Sequence, residues 1–178
     1  MVLFLILFYL YFMRHPTVHI ASNFIDDKTI MSPAFGTIKK IITNENNVHI
    51  IIFLSVTDVH VQYYPIRGRV THQVYDANGV FNLAYKLNKS NKNEKVITTI
   101  KPNLNIPNIY VYQIAGLIAR RITTTLKYPN EVIEPTQKMG MILFGSRVDL
   151  ILPREGLQLY VKEDQYVEGF NTVIGQYI

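Results

Sequence analysis

Most of the chain consists of short apolar runs of strand length, each bounded by a turn signal. The clearest run covers residues 48–55 (VHIIIFLS), which lie between an Asn-rich turn at 44–47 and Thr57-Asp58. Further apolar runs cover residues 69–75, 80–87, 95–100, 139–152, 157–161 and 171–178, and the fourth is interrupted at Gly145-Ser146. Apolar strands of this length form sheets, and the sheets pack face to face to bury their apolar side chains. The pattern therefore predicts a mainly β fold with few helices (α+β), built as a β-sandwich or barrel-sandwich-like domain.

One internal segment has the spacing of a helix. Residues 113–122 (QIAGLIARRI) place apolar side chains on one helical face, and Arg120 and Arg121 stand near the end. Cations are favoured there by the helix dipole. This segment is therefore predicted to be helical.

The N-terminal residues 1–13 (MVLFLILFYLYFM) carry no charge. As a helix they would reach about 20 Å, less than the ~30 Å of a membrane's hydrocarbon core. No basic residue precedes them and no small-residue cleavage site follows closely, which argues against a signal peptide. We expect a short membrane-associating segment, anchoring the protein or holding it peripherally, followed by one domain over 14–178. A buried core strand is the alternative.

Composition excludes several classes of site. The 178 residues suit a single domain, and the absence of cysteine excludes disulfides, thiolate metal sites and cysteine nucleophiles. His15 and His19 are spaced like metal ligands on a helix, but Pro16 lies between them, so no metal site is expected. The net charge of +5 suits an anionic membrane surface or nucleic acid, unless it only solubilises the protein. The basic residues are not clustered with aromatic residues, so no nucleic-acid partner is expected.

Six short motifs occur in a fixed order and together carry more information than any of them alone. They are MRHP at 13–16, SPAFG at 32–36, FLSVTDVHV at 53–61, NEK at 93–95, QIAGLIARRI at 113–122 and FGSRVDLILP at 144–153. The set resembles the phosphatidylserine decarboxylases, a family of pyruvoyl-dependent enzymes, in their short, compact form. The resemblance extends from residue 13 to the end of the chain.

The resemblance implies a self-processing lyase that converts phosphatidylserine to phosphatidylethanolamine at a membrane. In the family, a serine hydroxyl attacks the preceding carbonyl, and the broken chain is left with a pyruvoyl group that forms a Schiff base with the substrate. Here the bond would be Gly145–Ser146, giving a β chain of residues 1–145 and an α chain of residues 146–178. An α-ketoamide of this kind takes up the electrons left when carbon dioxide departs. Whether the enzyme is a homodimer is left open.

His60 is the expected general acid and base, because its intrinsic pKa lies nearest the working pH. It matches the His of the family's DVH block. Asp58 precedes it by two residues and would share its face in an extended strand. Asp58 is therefore interpreted either as the residue that orients His60 or as a residue that stabilises a turn.

Phe35 departs from the family pattern, which has an Asp at this position of SPADG. Phe cannot accept a hydrogen bond, so His60 would have to work with Asp58, Thr57 or a backbone carbonyl. An unprocessed, catalytically silent lipid-binding relative is thus the main alternative function. A lipoyl-type carrier is a third reading, suggested only by the turn pattern in 161–175, and the absence of a Lys at a hairpin tip argues against it.

Overall fold

The computed structural model describes residues 2–17, 25–77, 79, 92–116, 121–125, 130–143 and 146–178. Within these ranges a helix, α1 (Val2–Phe12), is followed by fourteen strands. The strands are β1 (Thr29–Met31), β2 (Gly36–Thr43), β3 (Asn47–Leu54), β4 (Val61–Tyr63), β5 (Gly68–Asp76), β6 (Lys95–Pro102), β7 (Ile109–Ile114), β8 (Ile122–Thr124), β9 (Val132–Ile133), β10 (Lys138–Ile142), β11 (Ser146–Pro153), β12 (Leu157–Leu159), β13 (Tyr166–Val167) and β14 (Val173–Tyr177).

The strands form one large sheet and two small ones. The large sheet has eight strands in the order β13-β2-β3-β11-β7-β6-β5-β9, and every pair in it is antiparallel. The two small sheets have the orders β1-β14-β12 and β4-β10-β8. The mainly β prediction is therefore confirmed.

The main core lies on one face of the large sheet. Alternate residues of the central strand β11, namely Val148, Leu150 and Leu152, are fully buried in it. Ile30 of β1 and Ile142 of β10 join the same cluster, so both small sheets cover this face. The side chains of β11 that point to the other face begin with Arg147.

Helix α1 is apolar all round and projects most of its side chains into solvent. Leu3, Phe4, Leu7 and Leu10 are among the exposed residues, whereas Phe12 at its end is fully buried. The alternative of a buried core strand is therefore wrong. Among the described residues, no helix is long and apolar enough to cross a membrane.

The predicted helix over 113–122 is wrong at both of its ends. Gln113 and Ile114 end strand β7, and Ile122 begins strand β8, while residues 117–120 lie outside the described part of the chain. Strand β7 pairs with β6 on one side and β11 on the other, so its backbone groups are satisfied in the sheet rather than in a helix. The predicted strand at 80–87 also lies outside the described residues.

Candidate active site

Ser146 is the first residue of strand β11 and is fully buried. Its Cα pairs with Leu54, the last residue of β3. Its side chain points to the core, on the face shared with Val148. Among the described residues, its Oγ has no hydrogen-bond partner. Because buried hydroxyls are normally bonded, a free Oγ at this position is available for chemistry.

His60 lies just after the turn that follows β3 and just before β4, and it too is fully buried. Its Nδ1 is 2.9 Å from the Asp58 carbonyl oxygen. A carbonyl oxygen can only accept, so the proton of the neutral ring is on Nδ1 and the lone pair is on Nε2. Within the described ranges Nε2 has no partner. The ring is thus held in the tautomer that a general base requires.

Burial lowers the pKa of His60 to about 4, although the hydrogen bond to the Asp58 carbonyl and the Asp58 charge act to raise it. The Phe12 ring at the end of α1 covers the imidazole, with 4.2 Å between ring centroids. His60 is therefore neutral near pH 7. A neutral imidazole with a free Nε2 can accept a proton.

Asp58 meets His60 through its backbone and not through its carboxylate. The carboxylate accepts a hydrogen bond from the Ser55 backbone N–H (2.7 Å) and one from the Tyr166 hydroxyl (3.1 Å). Residues 55–60 form a turn rather than a strand, so the strand alternation expected of Asp58 and His60 does not apply. The carboxylate stabilises this turn, and the turn places the carbonyl against His60.

Two glutamines connect the backbone of His60 to strand β7. The Gln62 side chain donates to the His60 carbonyl (2.6 Å), and the Gln113 side chain donates to Gln62 Oε1 (2.9 Å). Both glutamines are fully buried. Gly140 makes room for this link, because a Cβ there would lie 3.0 Å from Gln113 Nε2 and 2.2 Å from the Thr123 carbonyl.

Gln113 was not predicted as a site residue. Its Oε1 is the third buried side-chain atom that lacks a hydrogen-bond partner within the described residues, after Ser146 Oγ and His60 Nε2. The sequence feature that could have identified Gln113 is a polar residue between Val111 and Ala115 on the buried face of a strand.

The chain path brings Ser146 and His60 to the same end of the large sheet. The His60 carbonyl accepts a hydrogen bond from the Ile142 N–H (3.2 Å), and Ser146 follows Ile142 by four residues. Ser146 also pairs with Leu54, six residues before His60. Both residues therefore border the short connection between β10 and β11 that contains Gly145.

The NEK motif contributes a residue in register with Ser146 across the sheet, and residues in register with Ser146 on neighbouring strands are called its row. Lys95 pairs with Ile114, and Ile114 pairs with Arg147, so the preceding residue on β6, Glu94, stands in line with Ala115 and Ser146. The Ala115 N–H donates to the Glu94 carbonyl (2.9 Å). The Glu94 side chain is only 3% exposed, and its Oε1 accepts a hydrogen bond from the Tyr75 hydroxyl (2.5 Å).

Arg147 and Asp149 lie on the opposite face of β11 and form a buried ion pair. Each is 2% exposed. The guanidinium donates to both carboxylate oxygens, Nε to Oδ1 (2.5 Å) and one terminal nitrogen to Oδ2 (2.6 Å). His49 of β3 adds an Nε2 contact to Asp149 at 2.8 Å. This fork-shaped pair fixes the backbone of β11 immediately after Ser146.

Phe35 lies in a small aromatic cluster rather than beside a polar group. Its ring packs edge-on against Tyr63 and Phe170, with centroids 6.4 and 5.6 Å away. A Cβ on Gly169 would lie 2.8 Å from the Phe35 ring, so a glycine at 169 makes space for it. A carboxylate at position 35 would be buried among these rings without water. In this protein the group that meets His60 Nδ1 is the Asp58 carbonyl.

Gly36, the next residue, has a structural reason to be glycine. Its φ is 151°, and a Cβ would lie 2.3 Å from the Phe53 carbonyl oxygen. Ser32 closes the other end of the SPAFG turn by donating to the Ala34 carbonyl (2.7 Å). In the described part of the chain, no three His, Asp or Glu side chains are grouped as metal ligands.

Comparison with known proteins agrees with the motif order. The family model of phosphatidylserine decarboxylase matches residues 5–175. The chain is similar to a phosphatidylserine decarboxylase proenzyme of Carboxydothermus hydrogenoformans, at 39% identity over 99% of this chain and 83% of that protein. It is also similar to proteins of the same name from Porphyromonas gingivalis (38% identity, 98% of this chain, 80% of that protein) and from the Wolbachia of Brugia malayi (37%, 92% and 73%). No solved structure matches significantly.

The match covers nearly the whole chain, including all of the motifs that surround Ser146 and His60. The family resemblance inferred from those motifs is thereby confirmed, and the chain belongs to the phosphatidylserine decarboxylase family.

Proposed function

We propose that this protein decarboxylates phosphatidylserine to phosphatidylethanolamine after cutting its own chain between Gly145 and Ser146. The observation that carries the proposal is the buried, unpartnered Ser146 Oγ at the same end of the sheet as a neutral His60 with a free Nε2. Conversion of phosphatidylserine by the purified protein, with release of carbon dioxide, tests the function. A protein that carries out no such conversion contradicts it.

His60 acts first as the base of self-cleavage. Nε2 takes the proton of Ser146 Oγ, and the oxygen attacks the Gly145 carbonyl carbon, which converts the peptide bond into an ester. Elimination then releases the 1–145 chain as a carboxylate, and hydrolysis of the dehydroalanine left at 146 liberates ammonia. The burial of Ser146 and His60 keeps bulk water from competing with the serine oxygen.

The residues around Ser146 fit a pyruvoyl group at that position. Ala115 beside it in the row is small, and Leu54 on the other side is apolar, so a planar ketoamide meets no charge there. When present, the group supplies an electron sink for the loss of carbon dioxide. His60 Nε2, which carries no proton in the resting site, would take up the proton that the substrate ammonium loses and pass it to the product carbon. The unbonded Gln113 Oε1 is a hydrogen-bond acceptor near the same end of the sheet.

The two pieces of the cut chain are expected to stay together. Strand β11 pairs with β3 along all eight of its residues and with β7 along five. All of these pairings except that of Ser146 itself lie after the cut bond and are untouched by the cleavage. The mature enzyme is therefore a complex of a β chain and an α chain from one precursor.

Phe35 supports the alternative of a silent lipid-binding relative, because it removes the usual carboxylate. The contact between His60 Nδ1 and the Asp58 carbonyl supports the active enzyme, since it supplies the acceptor that the carboxylate would have supplied. We favour the active enzyme on this ground.

The depressed pKa of His60 makes a prediction about pH. A base must be neutral, so self-cleavage should keep its full rate from pH 8 down to about pH 5 and fall only near pH 4, where His60 becomes protonated. Phe12→Ala should uncover the ring and move the midpoint upward, toward the ordinary value of about 6.5. The measurement is the cleavage rate of freshly synthesised precursor, followed by gel at each pH.

The matched control for this experiment is Phe4→Ala, which removes an exposed ring from the same helix. It should leave the midpoint near pH 4. A wild-type midpoint near 6.5, or equal midpoints for Phe12→Ala and the wild type, would contradict the role given to burial of His60.

We further propose that α1 inserts into the outer layer of a membrane and brings the site to its substrate. Exposed apolar side chains are unfavourable in water, and their transfer into the apolar part of a membrane lowers the free energy. Tyr11 and Arg14 donate to the Thr57 carbonyl (3.2 and 2.7 Å), in the turn that leads to His60. The helix is thus hydrogen-bonded to the turn that carries His60. Phe12 also belongs to a buried apolar cluster with Phe35 and Tyr63, and Met13 packs against that cluster.

Vesicle binding tests this role of the helix. Leu7 in α1 and Val74 in β5 are both 56% exposed, so Leu7→Glu and Val74→Glu are a matched pair. Leu7→Glu should weaken binding to anionic vesicles about tenfold or more, because it removes one buried leucine from the lipid. Val74→Glu should have a far smaller effect.

Removal of residues 2–10 should release the protein from vesicles while leaving its melting temperature unchanged, since Tyr11, Phe12 and Arg14 remain. Binding by the shortened chain should weaken as salt rises, because the remaining attraction is electrostatic. A large drop in melting temperature, or equal losses from the two Glu variants, would show that the helix is structural instead.

A further inference from the structure

A pocket of about 430 Å³ opens beside strands β5, β6 and β8. Tyr75 and Val96 face each other across β5 and β6, and both line it. The complete lining comprises Gln73, Tyr75, Val96, Arg121, Ile122 and Thr124. Four of these six side chains carry a polar or charged group, so the pocket offers hydrogen-bond partners to the polar part of a ligand.

Two chains of backbone contacts connect the pocket to the proposed cleavage site. Val96 pairs with Gln113, and Gln113 pairs with Val148, two residues after Ser146 and on the same face. The backbones of Val96 and Val148 are therefore two strand spacings, or about 10 Å, apart. On the other side, the Arg121 carbonyl accepts a hydrogen bond from the Leu143 N–H (3.2 Å), three residues before Ser146.

Arg121 is the only charged residue among the described residues that line the pocket. The nearest acid in the row of Ser146 is Glu94, which is almost completely buried and holds the Tyr75 hydroxyl. Glu94 is therefore covered by Tyr75 and does not form part of the wall. The pocket presents one guanidinium, together with hydroxyl and amide groups, to an incoming anion.

We propose that this pocket binds the phosphodiester of a phospholipid headgroup, with Arg121 as the cation that meets it. The inference rests on the proposed function, because it assumes that the serine moiety of the lipid lies at Ser146. In phosphatidylserine only a methylene and one oxygen separate the phosphorus from the carbon that carries the amine. The phosphate must therefore lie on the side of Ser146 from which the lipid enters, and the pocket, two strand spacings from β11, offers a cation to a headgroup reaching in that direction. Arg121 is in this view a residue that determines specificity for phosphorylated substrates.

Binding of a soluble headgroup tests the proposal without relying on turnover. The probe is glycerophosphoethanolamine, measured by calorimetry on the full-length protein, with ethanolamine as the probe that lacks the phosphodiester. Arg121→Gln should weaken glycerophosphoethanolamine binding about 10- to 100-fold, the loss expected for a hydrogen bond to a charged group. Ethanolamine binding should not change. Arg121→Lys should restore part of the affinity, because it keeps the charge but not the fork.

The controls distinguish headgroup binding in the pocket from nonspecific attraction to basic residues and from binding of free phosphate. Arg154→Gln removes an exposed arginine beyond the far end of β11 and should leave binding unchanged. Inorganic phosphate should bind more weakly than the diester if the site is built for a headgroup. Tighter binding of inorganic phosphate, or equal losses for Arg121→Gln and Arg154→Gln, would overturn the proposal.

Turnover distinguishes the failure of this inference from the failure of the proposed function. Arg121→Gln should still cut its own chain and should show a raised KM for phosphatidylserine. Normal turnover with no change of KM or headgroup affinity refutes the pocket alone. A wild-type protein that binds the headgroup through Arg121 but releases no carbon dioxide refutes the decarboxylase instead.

Discussion

Ser146→Ala is expected to yield a single chain of 178 residues with no decarboxylase activity, whereas the wild type yields two chains, residues 1–145 and 146–178. Alanine offers no oxygen to attack the Gly145 carbonyl, so the loss should be complete rather than partial. Intact mass under denaturing conditions measures it. The smaller wild-type fragment should begin with a pyruvoyl group in place of serine and should therefore resist Edman sequencing.

The substitution should change the fold very little. Ser146 Oγ makes no hydrogen bond with the described residues, so its removal leaves no partner unsatisfied. Ser32→Ala is the matched control, because Ser32 is equally buried but donates to the Ala34 carbonyl. That variant should lose about 1 kcal/mol of stability and still cut its chain. A wild-type chain that stays intact would leave only the silent relative.

The strands that followed from sequence include β3 and β11, two neighbours in the large sheet that form from long apolar runs. The run at 48–55 is nearly continuous in apolar residues because β3 is covered on one face by the core, while on the other face Ile51 is buried and His49 and Phe53 are half-buried. The start of the helix predicted over 113–122 is instead the end of strand β7. Its apolar spacing suits a period of 3.6 as well as one of 2, and only pairing with β6 and β11, both distant in sequence, decides between them.

Some features of the candidate site could likewise be predicted from the sequence and others could not. Ser146 and His60 could be named from motif order, since the resemblance places each in a short motif that matches the family pattern. The Asp58 carbonyl, the Gln62–Gln113 link and the cover provided by Phe12 could not be named. Each depends on a contact set by the tertiary fold or on a backbone atom, and no pattern of side-chain types encodes either of these.

His60→Ala is expected to slow self-cleavage by about 100-fold or more, the usual contribution of a positioned general base. His60 is the only fully buried histidine among the described residues, and its free Nε2 carries the lone pair. His49→Ala is the matched control. His49 contacts Asp149 on the opposite face of the sheet and should be dispensable for cleavage.

A loss of cleavage could also come from a collapsed site, because His60 is fully buried against Phe12. Added imidazole separates the two explanations. The alanine variant leaves a cavity of the shape of the ring, so free imidazole should enter it and restore part of the cleavage rate, with a dependence on pH set by its own pKa rather than by burial. Rescue with that pH profile would identify His60 as a proton acceptor. Cleavage at the wild-type rate in His60→Ala without imidazole would show that another group activates Ser146.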